Sequence, residues 1–158
     1  IAAACGASFI RVNVLTGVVA ADQGLITGRA DEILRYRKLL GTQTAILADV
    51  FVKHAVTLHA EDVARAAYDT VTRGLADGVI LTGPSTGSPA NLDDVRRVRA
   101  AVGDRPVLVG SGVTAQTVAS VLDVAGGVIV GTALKPDGDL SRPVDRDLAA
   151  AFVRAAKG

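Results

Sequence analysis

Five short apolar runs, rich in β-branched residues, alternate along the chain with segments of helical period. In the first, residues 8–14, alternation sets Phe9, Arg11 and Asn13 against Ile10, Val12 and Val14, the period-two signature of a strand with unlike faces. The second, residues 45–52, sets Leu47, Asp49, Phe51 and Lys53 against Ile46, Ala48, Val50 and Val52. A third run spans 77–81. The last two lie in the stretches 106–113 and 127–135 and end near Ser111 and Thr132. Helical patterns are predicted over 28–40, 60–73, 92–102, 114 to about 124, and 146–156. Gly41 and Gly74 act as stops, and Asn91 and Asp145 as N-caps. Residues 15–27 read as a loop longer than most βα connections, which is where function tends to sit.

Strands alternating with helices imply parallel strands joined by helical crossovers. Five such units in 158 residues extrapolate to eight in roughly 250, the usual size of a TIM barrel. The missing units would precede Ile1. Two further features fit a piece of a longer chain: methionine is absent, and the opening Ile1-Ala2-Ala3-Ala4-Cys5-Gly6 reads as a last helical turn with a glycine stop. A doubly wound five-stranded sheet is the competing architecture and would need no missing residues. Both of its faces pack under helices, whereas here one face of the first two strands carries Arg11, Asn13, Asp49 and Lys53. The expected fold is therefore α/β, a single partial (β/α)8 barrel domain over residues 1–158.

Composition narrows the function classes. Formal net charge is +1 with no Lys/Arg run, and three Phe, two Tyr and no Trp offer little for base stacking, so nucleic acid is not an expected partner. Cys5 is the single cysteine, which leaves no intrachain disulfide and fits a reducing compartment. No uninterrupted apolar run approaches the ~18 residues of a membrane span, and no signal-peptide pattern opens the chain. A soluble cytoplasmic protein is expected.

The candidate chemistry gathers at the strand ends. Gly110, Ser111, Gly112 and Val113 follow one strand, and Gly131, Thr132 and Ala133 follow the next. Glycines let backbone N–H groups approach an anion, and a helix N-terminus adds partial positive charge, so these two loops form a predicted phosphate cup. In a barrel that is the usual position, after the last two strands. GSGVTA also matches G-x-G-x-x-G/A, but no acidic residue closes the following strand to hold a ribose; phosphate alone is favoured over a dinucleotide.

Thr82, Gly83 and Thr86 in the small-residue loop after the third strand are candidate substrate contacts. The loop lacks the G-K-[ST] ending of a P-loop. Asn13, Asp49, Lys53 and, on the long loop, Asp22 are the candidate catalytic residues: the two carboxylates for acid-base work or metal binding, Lys53 to neutralise phosphate or form a Schiff base, and Asn13 to face the reacting portion. A structural ion pair between Arg11 and Asp49 is an equal alternative for Asp49. Lys135 either reaches the same mouth or sits in a solvated turn. His54 and His59 lack a zinc-site context, and neither a metal nor a cofactor is assigned.

Phe9-Ile10-Arg11-Val12-Asn13, Asp22-Gln23-Gly24, Ala48-Asp49-Val50 with Lys53-His54, DGVILTGPSTGSP at 77–89, VGSGV at 109–113 and GVIVGTALKPDG at 127–138 together resemble the BtpA/SgcQ family of TIM-barrel proteins. The resemblance implies an eight-unit barrel of which this chain forms strands four to eight. One branch of the family is linked to photosystem I biogenesis as a peripheral thylakoid factor. Another is placed among sugar-metabolism proteins, and some members carry phosphoribosylanthranilate isomerase-like labels. Residues and resemblance together lead to an expected phosphorylated sugar or nucleoside-like ligand, with isomerase or lyase chemistry. The alternative is a non-catalytic assembly factor, and open sheet edges would give a route to a homo-oligomer.

Overall fold

The computed structural model describes residues 1–51, 55–58, 62–83 and 88–158. The elements are β1 (Phe9–Val12), β2 (Val18–Ala21), β3 (Gly24–Thr27), α1 (Ala30–Leu39), β4 (Ala45–Val50), β5 (Ala55–Thr57), α2 (Val63–Thr72), β6 (Gly78–Leu81), α3 (Leu92–Val102), β7 (Val107–Val109), α4 (Val118–Leu122), β8 (Gly127–Val128) and α5 (Arg146–Lys157). Single 3-10 turns at Thr132–Leu134 and Pro136–Gly138 lie between β8 and α5.

Five strands form one parallel sheet in the order β1-β4-β6-β7-β8. Each joins beside its predecessor and the order never reverses. A doubly wound sheet requires such a reversal, so the strand order rejects that alternative. Burial gives the same answer. Ile46, Ala48, Val50, Val79, Leu81, Val107 and Val109 share one parity and enter a core completed by α2, α3, α4 and Phe152 of α5. Ile10 and Val12 of β1 continue that face, half-buried, with Ile33 and Leu34 of α1 packed against the same core. The opposite parity carries Arg11, Leu47, Asp49 and Ile80, as strand alternation requires. Helices on one face and a sequential order describe part of a barrel wall. The arc is open: among the described residues β1 and β8 each pair on one side only.

The 15–27 segment is not the loop its sequence suggests. Residues 18–21 and 24–27 form an antiparallel hairpin, and β5 pairs with β2 to make a second sheet of order β3-β2-β5. Val18, Val19, Leu25 and Ile26 supply strand-favouring side chains, and Gly24 takes the left-handed φ of 103° that lets the chain reverse after Asp22-Gln23. The third strand comes from after β4, so no local reading of 15–27 reveals it. At the hairpin base Leu15 is 1% exposed. A Cβ on Gly28 would lie 2.5 Å from the Leu15 carbonyl oxygen, which makes this glycine a packing requirement.

Helix ends follow their caps. Asn91 accepts from the Asp93 N–H, and Asp145 accepts from the N–H groups of Asp147 and Leu148, each at 2.9 Å. α2 begins after Asp62, which accepts from the Arg65 N–H at 2.8 Å. α4 is shorter than its pattern suggests. The Thr114 N–H donates to Thr117 Oγ1 at 3.0 Å and the Thr114 carbonyl receives the N–H of Val118 at 2.9 Å, so 114–117 is a turn and the helix starts at Val118.

At the amino end of the sheet, Asp77 accepts from Arg37 Nη1 at 2.6 Å and from the Ile46 N–H at 2.8 Å. Ile46 is fully buried, so its N–H has no solvent to turn to. Asp77→Ala is expected to lower stability by about 1–3 kcal/mol while Asp77→Asn, which keeps an acceptor oxygen, loses less; urea unfolding of the two variants checks this.

Candidate functional site

The two glycine-bearing strand ends meet. Gly110, Ser111, Gly112 and Val113 after β7 and Gly131, Thr132 and Ala133 after β8 line a single open cleft of about 710 Å3. Lys135 and Asp137 stand at its side, and Leu148, Ala151 and Phe152 of α5 form an apolar flank. Lys135 Nζ donates to the Leu140 carbonyl at 2.7 Å, which fixes an ammonium beside the glycines. Neighbouring Asp139 has its carboxyl held below the usual carboxylate range by the hydroxyl and N–H of Ser141, with the charge of Lys135 adding to the effect. Lys135 therefore belongs to the cleft wall. Its sequence setting, a Pro-Asp-Gly turn, left it undecided.

The glycines do different work. A Cβ on Gly112 (φ 67°) would lie 2.4 Å from the backbone of Ser88 and Pro89, and one on Gly83 would lie 2.1 Å from the Ser88 carbonyl oxygen. Both residues let the 88–89 segment close over the strand ends, so Gly112 is a structural necessity as well as a cleft residue. Gly131 differs: nothing lies within 4 Å of a Cβ placed there, and its φ is negative. The anticipated helix N-terminus behind Gly112 is absent, because the first helical residue is Val118 and the Thr114 N–H is already bonded. Lys135 is the cationic side chain among the residues lining the cleft, and it shares the wall with Asp137.

Beneath this mouth lies the ion pair. Arg11 Nε donates to Asp49 Oδ2 at 2.9 Å and Nη2 to Oδ1 at 2.7 Å, a fork-on-carboxylate geometry. The Asp49 side chain is 2% exposed and that of Arg11 37%. The bond to Asp49 raises the Arg11 pKa above its ordinary value, against the opposing effect of partial burial. The guanidinium reaches β7, where a Cβ on Gly110 would lie 3.6 Å from Nη2 and 2.8 Å from Ile80 Cγ2. Phe51, directly after β4, holds a left-handed φ of 56°, an uncommon conformation for an aromatic residue. Its carbonyl accepts from the Thr82 hydroxyl at 3.4 Å.

Asn13 and Asp49 line one small recess with Thr16, Phe51 and Thr70. Asp22 stands exposed at the β2–β3 turn, outside both concavities. Lys53 and Thr86 lie outside the described residues, as do His54 and His59. Among the described residues no group of three or more His, Cys, Asp or Glu side chains could hold a metal ion. No helix is long and apolar enough to cross a membrane. At the opposite, amino end of the sheet a wider groove of about 830 Å3 carries Arg96, Arg99 and Arg105. These are engaged by Asp93, the Val124 carbonyl and Asp77.

The BtpA family model matches residues 1–158, and the sequence is 49% identical over 155 residues to the photosystem I biogenesis protein BtpA of Synechocystis. The chain belongs to the BtpA family. The Synechocystis match covers 98% of the chain and 54% of the relative; an uncharacterized protein of Pyrococcus furiosus is 47% identical over 98% of the chain and 58% of its own length. The chain thus spans about half the length of these relatives. Among solved structures it is similar to orotidine 5'-phosphate decarboxylase of Pyrococcus horikoshii (TM-score 0.64, 18% identity, 98% of this chain and 64% of that one) and to an archaeal fructose 1,6-bisphosphate aldolase (TM-score 0.63, 18%, 98% and 60%). Both are TIM-barrel proteins. At that identity the likeness is one of fold, and it agrees with the sequential strand order.

Removing one partner of a buried pair strands the other. Arg11→Gln is expected to destabilise the chain by about 3 kcal/mol, less to the extent that solvent reaches the guanidinium. Arg11→Gln with Asp49→Asn should recover much of the loss. Chemical unfolding of the single and double variants measures the coupling.

Proposed function

We propose that this BtpA-family chain binds a phosphorylated sugar or nucleoside-like ligand at the carboxyl end of the sheet, with the phosphate in the cleft between Gly110 and Lys135. The observation that carries the reading is the convergence of two glycine-bearing strand ends and a fixed lysine on one open cleft. An ammonium suits a phosphate dianion, and glycines allow its oxygens to come close to the backbone. The fold neighbours add context, since both enzymes are named for phosphate-bearing compounds. The chemistry we assign is proton transfer, as in an isomerase or lyase. Lys53 is its candidate proton carrier and Asn13 a candidate contact to the reacting portion; Asp22, exposed at the β2–β3 turn outside the cleft, would have to reach the ligand from above. Asp49, with both oxygens on Arg11, acts in this scheme by holding the guanidinium. Thr82, Gly83 and Thr86 complete the proposed substrate wall.

A second reading, a non-catalytic assembly factor, is favoured by one observation. In the β3-β2-β5 sheet, Leu25 and Val56 both face Ala20 across the ladder and are 70% and 66% exposed. A small apolar face on a sheet is a plausible contact for a protein partner. The Synechocystis relative, a photosystem I biogenesis protein, points the same way.

Thermal unfolding against inorganic phosphate, sugar phosphates and nucleotides separates the two. A ligand at 100 times its dissociation constant adds about 2.7 kcal/mol, a shift of several degrees. Gly131→Asp is the clean control, because its carboxylate enters open space and repels phosphate, whereas substitution at Gly112 collides with the Ser88 and Pro89 backbone. A shift in the wild type that Gly131→Asp abolishes is the expected result. A cooperative transition unmoved by every phosphate compound would favour the assembly factor, as would loss of a partner on Leu25→Lys.

A further inference from the structure

We infer that Arg11 is a second anion-recognition point, so that the ligand carries an acidic group, carboxylate or phosphate, in addition to the phosphate held in the cleft. The inference rests on the proposed phosphate site and narrows its substrate class. Arg11 spends Nε and Nη2 on Asp49; among the described residues Nη1 has no hydrogen-bond partner. Its carboxylate partner is almost wholly buried while the Arg11 side chain is over a third exposed. The pair is thus a buried anchor beneath a partly exposed arginine. Such a pair is a costly way to hold a fold, since apolar residues of similar volume often serve as well. It is an effective way to fix a guanidinium for planar, bidentate recognition of an oxyanion.

Position supplies the second argument. Gly110 belongs to the phosphate cleft, and its bare side is filled by Ile80 and Thr82, 2.8 and 3.1 Å from a Cβ placed there, with Arg11 Nη2 at 3.6 Å. The guanidinium therefore lies against the wall of the cleft, and a ligand with its phosphate over residues 110–113 reaches it across the open face of the sheet. Gly110→Ala would collide with Ile80 and Thr82. A compound with one phosphate and no second acidic group would leave Arg11 unused.

The test compares 3-phosphoglycerate with glycerol 3-phosphate, which lacks the carboxylate, by titration calorimetry on the whole chain. Wild type is expected to prefer 3-phosphoglycerate by about tenfold or more. Arg11→Gln should erase that preference while leaving glycerol 3-phosphate within about twofold. Where Arg11→Gln unfolds the chain, Arg11→Gln with Asp49→Asn gives the same readout without an unpaired buried carboxylate. Arg11→Lys keeps the charge but not the fork, and retains only part of the preference. Gly131→Asp should weaken both ligands together. Equal effects of the Arg11 variants on both compounds, or no preference in the wild type that binds glycerol 3-phosphate, would overturn the inference and leave the phosphate site standing. A folded wild type that binds neither compound would overturn both.

Discussion

Helices cover only one face of the sheet, and that constraint organises the rest of the molecule. Strands added in sequence, each beside the last, put every crossover on the same side, so the valine-rich parity of β4, β6 and β7 is committed to the core. The other parity faces inward and is free to hold polar residues. Asp49 is tolerated at 8% exposure because Arg11, two positions into the neighbouring strand, reaches both of its oxygens. An isolated buried carboxylate would cost several kcal/mol. The same geometry sends all strand ends to one rim, and there the glycines of β7 and β8 open the cleft.

The parts of this arrangement that were legible in the sequence are those set by short-range periodicity. Alternation in residues 8–14 and 45–52 separates the two faces and brings Arg11 to Asp49, and the caps at Asn91 and Asp145 stand where their side chains say they should. The glycine runs after β7 and β8 identify two loops that do share a cleft. The β3-β2-β5 sheet was not legible, because its third strand is three residues long and arrives from after β4. Only tertiary pairing makes it a strand. α4 is shorter than its sequence pattern suggests because Thr114 and Thr117 satisfy each other's polar groups in a turn.

Site chemistry shows the same division. For Lys135 the sequence leaves the mouth and a solvated turn equally open, because it follows a strand yet precedes Pro136-Asp137-Gly138; the fold puts it in the cleft wall. Arg11 reads from the sequence as a structural partner of Asp49, and the bidentate contact between them agrees. Gly112 differs. A glycine in a phosphate-like motif is explained here in part by the backbone of Ser88 and Pro89, which no motif records.

The central claim is that an oxyanion sits between the β7 and β8 strand ends. Backbone amide chemical shifts of the 15N-labelled chain, followed during titration with inorganic phosphate, test it most directly. The account predicts saturable shifts concentrated at residues 110–113 and 131–135. Shifts confined to the arginine-lined groove at Arg96, Arg99 and Arg105, or none at millimolar phosphate, would contradict it.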